Sequence, residues 1–206
     1  MKYRSLESVA PRDKDALRRI VDERKFTIER RVGCAGLEEL GEGTYGVAYV
    51  LGDGRVLKAT TDESEATASS VLVGKKLENV VQIYDVFTMS GAWFIVQERL
   101  RGIGPDPRNS IDLIKIWIDK WFHDLANQGY SFDEILKECL EWWKRDDKKL
   151  VRDILHGVWE LWREGIVFYD VSRRNTGMRG SDYVIFDLGV SSSTYQGRID
   201  VVEKKE

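Results

Sequence analysis

Three oxygen-bearing side chains stand close together late in the sequence. Asp170 and Asn175 are five residues apart in Tyr169-Asp170-Val-Ser-Arg-Arg-Asn175, and Asp187 follows twelve residues later in Phe186-Asp187-Leu-Gly189. Carboxylate and amide oxygens are ligands that a hard cation such as Mg²⁺ accepts. A carboxylate can also orient a hydroxyl and take its proton. Far upstream, Gly41-Glu-Gly43-Thr44-Tyr45-Gly46 fits G-x-G-x-x-G. Small residues there let the backbone approach a bound phosphate closely. Lys58 follows Gly46 by twelve residues. Each feature has an ordinary reading as well. Glycines serve tight turns, a lone strand lysine is usually a solvated edge charge, and aspartates end turns and strands. What carries weight is five elements in one order, at one set of spacings, on suitable secondary structure.

The composition sets the frame for these residues. The 206 residues suffice for one large domain or two small lobes. With 42% hydrophobic and 33% charged residues the chain reads as soluble and globular. A formal net charge of -3 is too small to imply a nucleic-acid partner. Cys34 and Cys139 are far apart and lack a His or Cys at metal-ligand spacing, which argues against a disulfide framework and a zinc site. His123 and His156 fall within helical patterns and read as surface or half-buried positions. No apolar run approaches the length of a membrane span. Met1-Lys-Tyr-Arg-Ser has no signal-peptide core, so a reducing cytoplasm and no membrane partner are expected.

The elements that must position these residues follow from periodicity. Pro11 to about Lys25 reads as a helix with Ala16, Leu17, Ile20 and Val21 at helical spacing. Leu37-Glu-Glu-Leu-Gly, Gly46-Val-Ala-Tyr-Val-Leu and Arg55-Val-Leu-Lys-Ala read as three strands, the first two joined by the glycine loop. Thr61 to Gly74 is a short helix capped by Asp62 or Thr61. Val80 to Phe87 and Ala92 to Leu100 are two further strands. After a break at Gly102 to Pro107 the chain turns helical. Ile111, Ile114, Ile118, Trp121 and Leu125 form one stripe, which Gly129 can end. Ser131-Phe-Asp-Glu134 is a capping box opening a helix with Ile135, Leu136, Cys139 and Leu140. A third helix, about Asp147 to Glu164, turns Val151, Ile154, Leu155, Val158 and Leu161 inward. Ile166 to Tyr169 and Tyr183 to Phe186 read as two short strands around a loop. The tail from Val201 to Glu206 reads as frayed.

A glycine loop between two strands, rather than between strand and helix, excludes a dinucleotide-binding unit, and the chain lacks G-x-x-x-x-G-K-[ST]. Over roughly residues 37 to 190 the chain resembles the protein kinases. The resemblance rests on the glycine hairpin, the strand lysine, Asp170 with Asn175, and Phe186-Asp187-Leu-Gly189. It implies an α+β, two-lobed protein kinase-like fold with a five-stranded N-lobe (1–101) and a truncated, mostly helical C-lobe (102–206). It implies ATP and Mg²⁺ as cofactors and transfer of the γ-phosphate to hydroxyls of protein substrates, serine or threonine first. Lys58 would contact the ATP phosphates and pair with a glutamate on the next helix, Glu65 by first choice and Glu63 by second. Gly41, Gly43, Thr44, Tyr45 and Gly46 would cover the phosphates. Ala48, Val56 and Gln97 would line the adenine slot, and the backbone of Glu98 and Leu100 would bond the base. Asp170 would act on the attacking hydroxyl, and Asn175 and Asp187 would hold the metal.

The departures from the family pattern are Phe168 and Tyr169 in place of His and Arg, Leu188 in place of Phe, and Val56 in place of a small alanine. Arg174 precedes Asn175, as in tyrosine kinases. Only seventeen residues follow Gly189, so the compact kinases of T7-like bacteriophages, which act on host proteins, are the nearest family. Ser191, Ser192, Ser193, Thr194 and Tyr195 leave little room for a phosphate-switched activation loop. With Tyr169 in place of a cationic receiver, constitutive activity is expected. Trp117, Trp121, Trp142, Trp143, Trp159 and Trp162 read as a bulky core, or as an aromatic face that pairs with a second copy as a homodimer or with another partner. Two other functions share parts of this pattern: a pseudokinase binding module, and a small-molecule kinase of the aminoglycoside or choline type.

Overall fold

The computed structural model describes residues 13–104 and 109–189. Pro11, Pro107, the Ser191–Tyr195 cluster and the tail lie outside the described residues. The fold is α+β, with a five-stranded antiparallel sheet. The chain forms two compact units. One comprises the chain up to Lys75 with Gln82–Arg99, and the other Lys76–Val81 with the chain from Leu100. The division therefore falls at Arg99 rather than after 101, and a short inner segment belongs to the second unit.

In the first unit the strands are β1 (Leu37–Glu42), β2 (Gly46–Leu51), β3 (Val56–Thr60), β4 (Ile83–Met89) and β5 (Ala92–Gln97), in the order β1-β2-β3-β5-β4. Alternation decides which face each residue takes. Val47, Tyr49, Leu51, Leu57, Ala59, Phe94 and Val96 form one buried face. Against it packs helix α1 (Lys14–Val32), through Leu17, Val21 and Ile28. This helix runs past Lys25 because Ile28 and Val32 continue the apolar stripe. Asp13 caps its start, and left-handed Gly33, at φ 69°, ends it. Helix α2 (Glu63–Leu72) is capped by Asp62, whose side chain accepts from the N–H groups of Ser64 and Glu65. Its small residues Ala66, Ala68 and Ser69 are buried, and it packs on β4 and β5.

Among its described residues the second unit has a three-stranded sheet, β6 (Arg101–Gly102), β7 (Thr176–Arg179) and β8 (Asp182–Ile185), and the α-helices α3 (Ser110–Trp117), α4 (His123–Asn127), α5 (Phe132–Trp142) and α6 (Lys148–Arg163). Both halves of the Ser131–Glu134 capping box form. All five predicted inward residues of α6 are buried. Two expectations need correction. A π-helical turn, Ile118–Phe122, joins α3 to α4 and inserts one residue into the stripe. Phe122 and Ala126 are buried in place of Trp121 and Leu125, and Trp121 is 46% exposed. Second, Ile166 to Tyr169 is not a strand. Ile166 and Phe168 alternate inward because the core takes them, with no partner strand; β8 pairs instead with Thr176–Arg179. The six tryptophans do not form one core. Trp117 and Trp143 are buried, Trp159 and Trp162 half-buried, and Trp121 and Trp142 exposed.

Lys76–Val81 is held by backbone accounting. The Glu160 carboxylate accepts from the N–H groups of Glu78 and Asn79, and the Arg179 guanidinium donates to the carbonyls of Leu77, Glu78 and Val80. Val81 and Ile185 close the segment onto β8. It lies so near α6 that a Cβ on Gly157 would meet the Asn79 carbonyl oxygen at 2.6 Å. Helix propensity alone favours Gly157→Ala by ~1 kcal/mol. The clash reverses the sign, and the variant is expected to lose ~1–3 kcal/mol, the usual cost of overpacking. A urea midpoint above that of wild type contradicts this.

Candidate functional site

Lys58 lies in the middle of β3, on the sheet face opposite α1. Ala48, Lys58 and Ile95 pair in a row across β2, β3 and β5, and Val50, Val56 and Gln97 form the next row. Ala48, Val56, Lys58 and Gln97 thus share one face. The Lys58 ammonium donates to the Glu65 carboxylate on α2 at 2.5 Å, with side chains 13% and 3% exposed. Glu63, one turn-register away, is exposed. Asp62 fixes that register by capping the helix at the residue before Glu63.

The glycine loop joins β1 to β2 as a hairpin, closed by the Gly43 N–H on the Gly46 carbonyl at 2.9 Å. Its second half is anchored: the Tyr45 carbonyl accepts from the Thr61 N–H and from both the Thr60 and Thr61 hydroxyls. Glycine at 46 is required by packing. A Cβ there would meet the Ala59 carbonyl oxygen at 2.7 Å and the Lys58 Cε at 3.3 Å. Gly43 is different. Its φ is not in the left-handed region, and a Cβ would meet nothing within 4 Å. Among the described residues, neither a positive φ nor packing calls for glycine there. Thr44, beside it, is exposed, and so is Gly41.

Beyond β5, the Glu98 N–H donates to the Gln82 carbonyl at 3.0 Å, and the Glu98 carboxylate receives the Gln82 N–H at 2.8 Å. The Glu98 N–H is thereby committed, so a ligand at this residue would meet its carbonyl. Leu100 is half-buried at the start of the second unit.

In the second unit Asp170 and Asn175 are bound together. Asn175 Nδ2 donates to the Asp170 carbonyl at 2.9 Å and to Asp170 Oδ2 at 2.7 Å. Both partners are acceptors, which settles the amide orientation and leaves Oδ1 as the oxygen for a further donor or a cation. A 3₁₀ turn, Arg173–Asn175, closes the loop, and the Phe186 N–H donates to the Asn175 carbonyl at 2.9 Å, tying it to the Asp187 segment. Asp187 itself is left-handed, with φ 54°. Asp tolerates this region better than most residues, but such outliers cluster at functional sites. The left-handed turn in this segment falls on Asp187.

Sequence reasoning missed the groups beneath this loop. Lys115 on α3 donates to the Tyr169 carbonyl at 3.0 Å and pairs with Asp119 at 2.5 Å. The His123 ring lies 4.5 Å from that of Tyr169. Residues 115, 119 and 123 fall on one helix face, but their spacing looks like an ordinary solvated pair until the chain folds. Burial pushes the His123 imidazole below its usual value.

Burial also pushes the Asp170 carboxyl up; the Asn175 bond opposes this, the Asp187 charge adds to it, and Lys115 opposes it. An acid whose folded pKa is raised holds its proton more tightly when folded. Ionised Asp170 therefore costs stability, and the cost appears as pH rises from the ordinary Asp value of ~3.9 through the folded value. Without Mg²⁺, Asp170→Asn is expected to raise the urea midpoint at pH 7, with the gain shrinking as pH falls toward 4. Equal midpoints at pH 7, or a gain that grows on acidification, contradict this.

No protein-family model matches the sequence, and no curated protein matches it. Among the described residues, no helix is long and apolar enough to cross a membrane.

Proposed function

We infer that this chain is an ATP- and Mg²⁺-dependent protein kinase with a kinase-like two-lobed fold. The observation that carries the reading is the buried Lys58–Glu65 ion pair, on the same sheet face as Ala48, Val56 and Gln97. A buried pair is not a cheap way to gain stability, because desolvation offsets most of the attraction. It is what a phosphate-binding lysine needs if it is to be held at one point. Gly43 is compatible with the reading, since its exposed, unencumbered backbone leaves room for a ligand to approach closely.

When bound, ATP would supply the phosphoryl group and Mg²⁺ the positive charge that offsets its phosphates. Lys58 would bind the phosphates, oriented by Glu65, under a hairpin whose base is pinned at Tyr45. Val56, Ala48 and Gln97 would take the adenine, with the Glu98 carbonyl as acceptor. Asn175 Oδ1 and the Asp187 carboxylate fit the donor set of a hard cation, which uses one or two protein carboxylates beside the phosphates. Asp170, held by Asn175, would orient the acceptor hydroxyl and take its proton, and its raised pKa suits a base better than that of a solvated aspartate. Incubation of the chain with labelled ATP, Mg²⁺ and a mixture of generic protein substrates tests this. Label transferred to protein is the expected result; no transfer to any protein, with no ATP binding, overturns it.

A further inference from the structure

We propose that the acceptor peptide of this enzyme is acidic, recognised by Arg173 and Arg174 through a carboxylate or phosphate near the acceptor hydroxyl. The inference rests on the kinase reading and adds the substrate class to it. Both arginines lie in the 3₁₀ turn between Asp170 and Asn175, three and four residues from the carboxylate that would take the hydroxyl proton. The loop is clamped at each side of them. Val171 and Asn175 are buried, and the Asn175 N–H donates to the Ser172 carbonyl at 3.1 Å. What the clamp leaves outward is the pair of guanidiniums, both exposed. Asp170 does not pair with them, because its carboxylate accepts from Asn175.

Several arginines of the chain serve as structural donors, while Arg19, Arg24, Arg30, Arg99, Arg152 and Arg163 are exposed like Arg173 and Arg174 but stand outside the Asp170–Asn175 loop. Arg18 bonds Glu39 and Glu42, Arg31 bonds Asp85, Arg55 bonds Asp53, and Arg179 takes three carbonyls. Arg173 and Arg174 make no hydrogen bond or ion pair among the described residues. Two adjacent guanidiniums can each grip a carboxylate or phosphate through two N–H groups. Fully extended chain covers ~3.3–3.6 Å per residue, so an anion within about four residues of the acceptor is in range. A basic peptide would meet two like charges there instead.

The test uses the full chain with ATP and Mg²⁺ on matched peptide sets. Each peptide has one Ser, Thr or Tyr acceptor, flanked by Glu, Gln, Arg or phosphoserine. The expected result is kcat/KM on Glu-flanked peptides about tenfold above the Gln set, a ~1.4 kcal/mol preference, with the Arg set lowest. The phosphoserine set separates the two anion sources: a further gain over Glu marks phosphate as the preferred anion, and parity marks carboxylate, either outcome supporting an anion site. R173Q/R174Q is expected to flatten the preference, and R173E/R174E to invert it toward the Arg set. Transfer with equal kcat/KM on all sets, or a preference that survives R173Q/R174Q, overturns this inference and leaves the kinase reading intact. Absence of transfer to every peptide, to generic proteins and to the chain itself overturns both.

Discussion

Asp187→Asn is expected to reduce phosphate transfer to background while leaving the fold intact, and Asp170→Ala to lower turnover by ~10²–10⁴-fold, the range for a general base. Asn is the better replacement at 187 because it tolerates the left-handed φ of 54° and keeps the side-chain shape. Its amide removes only the negative charge that would help hold a cation. Asp170→Ala also frees Asn175 Nδ2 from one of its two acceptors, the other being the Asp170 backbone carbonyl, which the substitution retains. The loop should therefore persist. Initial rates with labelled ATP, together with circular dichroism and urea midpoints, decide the matter. Activity within a few-fold of wild type in either variant removes that residue from its proposed role. Loss of activity with loss of fold in Asp170→Ala would be resolved by Asp170→Asn, which is expected to be stable and still inactive.

The second large effect concerns Lys58 and Glu65. Lys58→Met is expected to abolish transfer and to destabilise the chain by ~3–5 kcal/mol, because it leaves the Glu65 carboxylate buried without its cation. Glu65→Leu alone is expected to cost less, since the lysine it leaves is the more exposed partner at 13% against 3%. The double variant, Lys58→Met with Glu65→Leu, is expected to recover most of the stability and none of the activity. Replacing a whole buried pair by apolar groups of similar volume is often neutral. That divergence separates a catalytic lysine from a structural one. If the double variant regained activity with stability, Lys58 would be only a structural residue. If it were no more stable than Lys58→Met, the pair would not be the electrostatic unit the 2.5 Å contact implies.

Much of this arrangement is legible in the residues themselves. The period-two pattern of Gly46–Leu51 and Val56–Thr60 predicts strands, and it also puts Lys58 on the face away from Leu57 and Ala59. The apolar stripe of the sixth helix predicts its five buried positions, because one amphipathic face suffices to specify them. Asp62 ahead of Ser64 and Glu65 is a cap signal, and the cap sets the phase that turns Glu65 inward and Glu63 outward. The spacing from Asp170 to Asn175 suits one short turn, which is how a side-chain amide comes to bond the carboxylate five residues earlier.

What the residues alone leave open depends on which surfaces meet. Ile166 to Tyr169 has the alternation of a strand, but alternation reports burial, and a strand also needs a neighbour with open backbone groups. Thr176–Arg179 took that place. Whether a helix admits an extra residue is decided by the layer beneath it, so the shift from Trp121 to Phe122 could not be read from a uniform period. Lys115 reached the Tyr169 carbonyl only because packing brought α3 to a segment more than fifty residues away in sequence. Local sequence thus determined the elements, the faces and the order of the candidate groups, all of which follow from short-range sterics and solvation. Tertiary structure alone decided the raised pKa of Asp170, the exposure of Arg173 and Arg174 and the capture of Lys76–Val81, because desolvation and charge proximity belong to the surroundings of a group and not to its place in the chain.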